Sequence, residues 1–148
     1  MSRWLGIDHG TKRIGAAAGD TAHGIASPLV VIPAEPEETA IHQIRELAAQ
    51  YQVDGIVVGW PLNMDDSEGP QAKTARAMAG RLAEATGLDV RLWDERLSSF
   101  AADKALAGML TRGKRKQLQD AVAAAEILKD FLSANGPKSA PRPDQIEQ

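Results

Sequence analysis

The sequence predicts an α/β fold in which helices cover a mixed sheet of five strands. Three observations predict it. Two apolar runs, Arg3–Asp8 and Arg13–Gly19, are separated only by His9–Lys12, which makes them an antiparallel hairpin. The run Gly55–Trp60 is apolar without alternation, as a strand buried on both faces is. From residue 37 onward, helical patterns alternate with strand patterns, the signature of helices packed on a sheet.

The elements follow in order. The hairpin supplies the first two strands, and Ala26–Ile32 the third, with Pro28 near its start where a ladder tolerates it. Acidic residues at 35–38 open a helix from Glu37 to about Tyr51, because carboxylates suit the positive end of the helix dipole. Gly55–Trp60 is the fourth strand, and Pro61 ends it. After the loop 62–69, Pro70 suits the first position of a helix that runs to Thr86, with Gly87 as its left-handed cap. Asp89–Glu95 is the fifth strand. Ser98 or Ser99 caps a short expected helix ending near Gly108, and a last helix spans about Lys116–Ser133. The order is thus β-β-β-α-β-α-β-α-α.

The length of 148 residues suits one domain, placed at 1–134. The tail 135–148 has three prolines and little apolar content, so it is expected to be disordered. No apolar stretch approaches the ~18 residues of a membrane span, and the N-terminus lacks a signal-peptide pattern, so a cytoplasmic location is expected. The absence of cysteine excludes disulfides, thiolate metal sites and cysteine nucleophiles. Three scattered histidines make a poor zinc site. A net charge of −3 argues only weakly against a nucleic-acid partner, since residues 111–116, TRGKRK, carry four cations and no acid.

Three acids occupy positions that call for explanation. Asp8 ends the first strand, and ligands of open α/β sheets collect beyond the carboxyl ends of strands; an Asx turn closing the hairpin explains it equally well. Asp94-Glu95-Arg96 ends the fifth strand, again as a candidate site or as a local salt bridge. Asp120 shares a helix face with Ala124, Ile127 and Phe131, so it lies beside the surface that packs on the sheet. A carboxylate there needs a cation, and no lysine or arginine stands one turn later to supply it. Alanines at 121 and 123–125 let this helix approach closely. Clustered carboxylates suit Mg²⁺ or Mn²⁺, and two such ions about 4 Å apart are the apparatus of phosphodiester hydrolysis.

Four motifs, Gly6–Gly15 (GIDHGTKRIG), Val57–Ala72 (VVGWPLNMDDSEGPQA), Asp94–Ser99 (DERLSS) and Asp120–Leu128 (DAVAAAEIL), resemble in order and spacing the YqgF (RuvX) family. Members are described as Holliday-junction resolvases and as nucleases maturing the 5′ end of pre-16S ribosomal RNA. The resemblance covers about residues 3–133 and implies a ribonuclease H-like fold, with strand order 3-2-1-4-5 and the first three strands antiparallel. It also implies that Asp8, Glu95 and Asp120 are catalytic, metal-binding acids acting with Mg²⁺ or Mn²⁺. Two departures touch no acid: Trp60 replaces a smaller aliphatic residue, and Ser98-Ser99 replace threonines.

On this reading Lys12 and Arg13 are placed to meet nucleic-acid phosphate, or else form a solvated hairpin edge. Arg96 is expected at the nucleic acid, as are Arg112, Lys114, Arg115 and Lys116 before Asp120. Asp65, Asp66 and Glu68 are expected to be solvent-exposed, and His9 to be incidental or a proton shuttle. The expected substrate is precursor ribosomal RNA, with branched DNA as the alternative. Two rivals remain: a phosphotransferase sharing the Asp-x-Gly-Thr hairpin, which needs a second domain, and a non-catalytic binding module, which would favour cations over three acids.

Overall fold

In the computed structural model, residues 1–97 and 112–146 are described, with the backbone alone for Leu97 and residues 112–118. Strands β1 (Arg3–His9), β2 (Arg13–Asp20) and β3 (Ala26–Pro33) form an antiparallel meander. Helix α1 (Glu37–Gln50), strand β4 (Gly55–Trp60), helix α2 (Pro70–Thr86) and strand β5 (Asp89–Asp94) follow. β4 runs parallel to β1 and to β5, so the sheet order is β3-β2-β1-β4-β5, the expected arrangement. A 3₁₀ turn (Glu95–Leu97) leaves β5, and the long helix α3 covers Arg112–Ser133. The helix expected between Ser98 and Gly108 lies outside the described residues. No described helix is long and apolar enough to cross a membrane.

The sheet has a core on each face. Leu5, Ile7, Ile56, Val58 and Leu92 point to one side, where Ile44 of α1 and Met78 and Leu82 of α2 cover them. Trp4, Ala17, Val57 and Trp93 point to the other, against Ala124, Ile127, Leu128 and Phe131 of α3. Successive residues of a strand alternate between faces, so β1 and β4 divide their apolar residues between both cores. This is why Gly55–Trp60 reads as a continuous apolar run. Phe131 is fully buried between Trp4 at 4.9 Å and Trp93 at 6.0 Å, the latter edge-on at 84°. Such tilted pairs align the positive ring edge with the negative face and add to the area buried.

The tail departs from expectation. Residues 136–146 pack against β5 and α3 instead of being disordered. A short helix, α4 (Gly136–Ser139), leads to buried Ala140, and a 3₁₀ turn follows at Pro143–Gln145. The Leu92 N–H donates to the Pro141 carbonyl at 2.8 Å, so the segment partly covers the β5 edge. Arg91 donates to the Ala140 carbonyl at 2.7 Å and to Asp89 at 2.9 Å; Arg142 donates to the same Asp89 at 3.1 Å. Backbone bonds and ion pairs hold this segment, which its small apolar content conceals.

Candidate active site

Strand alternation places the acids. On β1, Trp4 and Gly6 face α3, and two residues on so does Asp8. On β2, Asp8 pairs with Gly15, which faces α3 with Arg13 and Ala17. On β4, Val57 and Gly59 take that side; on β5, Trp93 does, and Glu95 follows in phase. Asp8 and Glu95 therefore leave the ends of two strands that flank β4, on the face covered by α3.

Missing side chains make this convergence possible. A Cβ on Gly15 would overlap the backbone carbonyl of Asp120. A Cβ on Gly6 would stand 2.8 Å from the Ala124 carbonyl. Helix α3 thus lies directly on β1 and β2, and Asp120 is set beside Asp8. A Cβ on Gly59 would overlap Glu95 Oε1 and come within 2.7 Å of Ile127 Cδ1, so Gly59 is the floor on which the Glu95 carboxylate rests. Asp8, Glu95 and Asp120 together line one open cleft of about 460 Å³, with His9, Thr11, Gln71, Thr74 and Gln119 around them.

The electrostatics separate the three acids. Burial pushes the Glu95 carboxyl up to about 7, and the charges of Asp8 and Asp94 add to the effect. Asp120 receives the cation that the sequence required, from β2 rather than from its own helix. Arg13 Nε donates to Asp120 Oδ2 at 2.8 Å, across 107 residues of chain. Burial lowers the His9 pKa below the usual value, against the opposing charges of Glu37 and Glu35 and with help from Arg81.

The donor set fits a hard divalent cation in kind. Carboxylate oxygens are the ligands Mg²⁺ and Mn²⁺ take. Glu95, raised by burial and further by the charges of Asp8 and Asp94, gains from a cation that offsets both. Among the described residues, no three such side chains already stand as a closed metal cage. Asp120 is ion-paired with Arg13.

The expected nucleic-acid contacts divide. Lys12 is exposed at the hairpin turn. Arg13 is half exposed and bonded to Asp120. Arg96 is engaged by Asp94, Asp66 and the Asn63 carbonyl. Arg112, Lys114, Arg115 and Lys116 lie on the first turns of α3, and their side chains fall outside the described residues. Of the three loop acids, Asp65 and Asp66 are exposed as expected, but Glu68 is not. Its carboxylate, 14 % exposed, accepts from Trp60 Nε1 at 3.0 Å and from Arg76 Nε at 2.9 Å. Trp60 thus closes one end of the 61–69 loop, because its indole N–H needs a buried acceptor. Gly59 and the polar rim Gln71, Thr74 and Gln119 were not singled out in the sequence. A glycine ending an apolar strand, next to an acid on the neighbouring strand, was the available signal for Gly59.

Comparison with known proteins identifies the family and the fold. A family model described as "RuvX: Holliday junction resolvase" matches residues 2–134. A "Putative pre-16S rRNA nuclease" of Pelotomaculum thermopropionicum is 46 % identical over 136 residues, 90 % of this chain and 88 % of that protein. A protein of the same name from Rhodobacter capsulatus is 45 % identical over 128 residues, 86 % of this chain and 80 % of the other. Among solved structures, T. thermophilus RuvC in complex with a Holliday junction substrate superposes with a TM-score of 0.61. It has 15 % identity and covers 96 % of this chain and 99 % of that one, so the likeness is one of fold, ribonuclease H-like.

Proposed function

The chain belongs to the RuvX family, and from that premise we propose that it is a nuclease of ribosomal RNA processing whose Asp8, Glu95 and Asp120 hold Mg²⁺ or Mn²⁺ for phosphodiester hydrolysis. The observation that carries the proposal is the convergence of these three acids, from β1, the end of β5 and α3, on one cleft. The names of its relatives support the choice of precursor 16S rRNA.

Asp8, Glu95 and Asp120 would hold the cation, which would supply Lewis-acid polarisation of the scissile phosphate and an activated water. The chain's own residues prepare that step. Asp8, at the end of β1, and Glu95, the first residue beyond β5, present oxygens from the ends of the two strands that flank β4, which ties both to the rigid sheet. Glu95, raised to about 7 by burial and by the charges of Asp8 and Asp94, would give up its proton on binding a cation. Asp120 approaches from the opposite wall, held by Arg13. The cations at 112–116, which precede Asp120 on α3, and Lys12, exposed at the hairpin turn, are the groups suited to steer the phosphate backbone without reading sequence. The acid-bearing cleft itself has no described lysine or arginine in its lining, so the attraction for phosphate comes from its borders and from the metal.

The alternative is cleavage of branched DNA. It is favoured by the family description and by the fold shared with a RuvC bound to a junction. One experiment tests both readings: labelled precursor 16S rRNA and a four-way DNA junction, each incubated with the protein in Mg²⁺, Mn²⁺ or chelator. Metal-dependent cleavage of the RNA at a defined position is expected. Cleavage of the junction alone would move the assignment to DNA, and cleavage of neither would overturn the nuclease reading.

A further inference from the structure

Arg96 follows a catalytic candidate and was expected at the nucleic acid, yet every part of its guanidinium is engaged within the protein. The β4–β5 ladder ends at the pair Trp60 and Asp94, so Glu95 lies one residue beyond the last sheet bond. Asp94 and Arg96 close on each other around it. The Asp94 carboxylate accepts the Arg96 backbone N–H at 3.0 Å, Nε at 3.0 Å and Nη2 at 2.7 Å. Arg96 also reaches the 61–69 loop: Nη1 donates to the Asn63 carbonyl at 2.7 Å, and Nη2 to Asp66 Oδ1 at 2.8 Å.

That loop is itself a closed turn. Asn63 N–H donates to the Ser67 carbonyl at 2.9 Å, and Asp66 N–H to the Asn63 carbonyl at 3.0 Å. Pro61, at its start, lines the cleft. We propose that Arg96 is a positioning residue that holds Glu95 over Gly59 and docks the 61–69 loop beside the cleft, rather than a contact to nucleic-acid phosphate. The proposal rests on the nuclease reading of the site.

Charge and geometry both favour it. Arg96 carries one positive charge and faces the two carboxylates Asp94 and Asp66, so the cluster is net negative and repels a phosphate. Its side chain is only 23 % exposed. A phosphate contact would require displacing a bidentate carboxylate pair, the strongest class of such bonds. The planar fork meets Asp94 with one edge and the loop with the other. A lysine ammonium cannot span both.

The test uses Arg96→Gln and Arg96→Lys beside wild type, on the precursor RNA or whichever substrate wild type cleaves. Single-turnover rates at saturating Mg²⁺ are compared with binding affinity over a salt series. Cleavage should fall by about 100-fold in Arg96→Gln, as a small displacement of a reacting group does. Affinity and its salt slope should stay at the wild-type value. Arg96→Lys should recover only a minor part of the rate. An unchanged saturated rate, with weaker binding and a salt slope lower by about one unit, would overturn the proposal and make Arg96 a phosphate contact. Hydrogen exchange of the metal-free proteins gives an arm that needs no activity. Amides of residues 61–69 and 94–96 should exchange faster in Arg96→Gln while those of β1 and β2 do not change. Unaltered exchange at 61–69 and 94–96 would overturn the proposal too. A wild type that cleaves no substrate defeats the nuclease reading alone, and the exchange arm then still decides whether Arg96 holds the loop.

Discussion

Replacing Glu95 by glutamine keeps the shape of the side chain over Gly59 and removes its charge. The folded-state pKa of Glu95 is about 7 against an ordinary 4.5, a difference of about 2.5 units. An acid raised in this way keeps its proton in the folded chain while the unfolded chain has released it. Between pH 4.5 and about 7 the unfolded state binds fewer protons, so stability falls as pH rises through that window and stays low above it. At about 1.4 kcal/mol per unit the full cost approaches about 3 kcal/mol, an upper bound for a side chain that keeps some contact with water. Glu95→Gln does not titrate. Without metal it should therefore be more stable than wild type at pH 8 by up to about 3 kcal/mol, or roughly 2–4 °C in melting temperature for each kcal/mol. The two proteins should converge near pH 4.5. Thermal or urea melts of both, in chelator across this range, measure the difference. Parallel stability curves from pH 5 to 8 would show that Glu95 is not strained by Asp8 and burial, and would remove the electrostatic argument for a cation at this site.

Four further outcomes follow from the same geometry. Asp120→Asn should abolish cleavage and cost at most about 1 kcal/mol in chelator, because its partner Arg13 is half exposed and their pair is screened; a variant that cleaves at the wild-type rate would remove Asp120 from the site. Gly59→Ala should lose metal-induced thermal stabilisation and about 1–3 kcal/mol of metal-free stability, since the new methyl occupies the place of the Glu95 carboxylate and presses on Ile127. Calorimetric Mn²⁺ affinity should rise about tenfold per pH unit below about 7 and level off above it, as one proton leaves Glu95 for each metal bound; a flat profile would mean the metal does not displace that proton. Arg115→Ala with Lys116→Ala should weaken substrate binding and lower the slope of log affinity against log salt by about one unit per lost phosphate contact, measured by filter binding.

The sheet was legible because its signals are local. The hairpin, the continuous run of β4, Pro70 and Gly87 each declare themselves within a few residues. Asp8, Glu95 and Asp120 stood out as candidates because an acid at a strand end or on an apolar helix face violates the local pattern. What was hidden depends on partners far apart in sequence. Asp120 looked like a carboxylate in need of a cation because that cation, Arg13, lies 107 residues away. Glu68 looked like a loop acid, but Trp60 and Arg76, each eight residues away on opposite sides, draw it inward. The segment 136–146 looked disordered because composition reports apolar burial, and this segment is held by Asp89, Arg91 and the backbone of Leu92. Gly59 carries no side chain, so its use as a floor for Glu95 is visible only when β4 and β5 are side by side.

The most direct test of the three-acid metal site is a Mg²⁺ titration of precursor 16S rRNA cleavage by wild type and by Asp8→Asn. Asparagine keeps the volume of the strand-end side chain and removes the charge proposed to hold the cation. The account predicts that wild-type cleavage rises from nothing in chelator to a plateau with added Mg²⁺, while Asp8→Asn stays folded and inactive at every concentration. Wild-type cleavage that persists in excess chelator, or an Asp8→Asn variant that reaches the wild-type plateau, would contradict it.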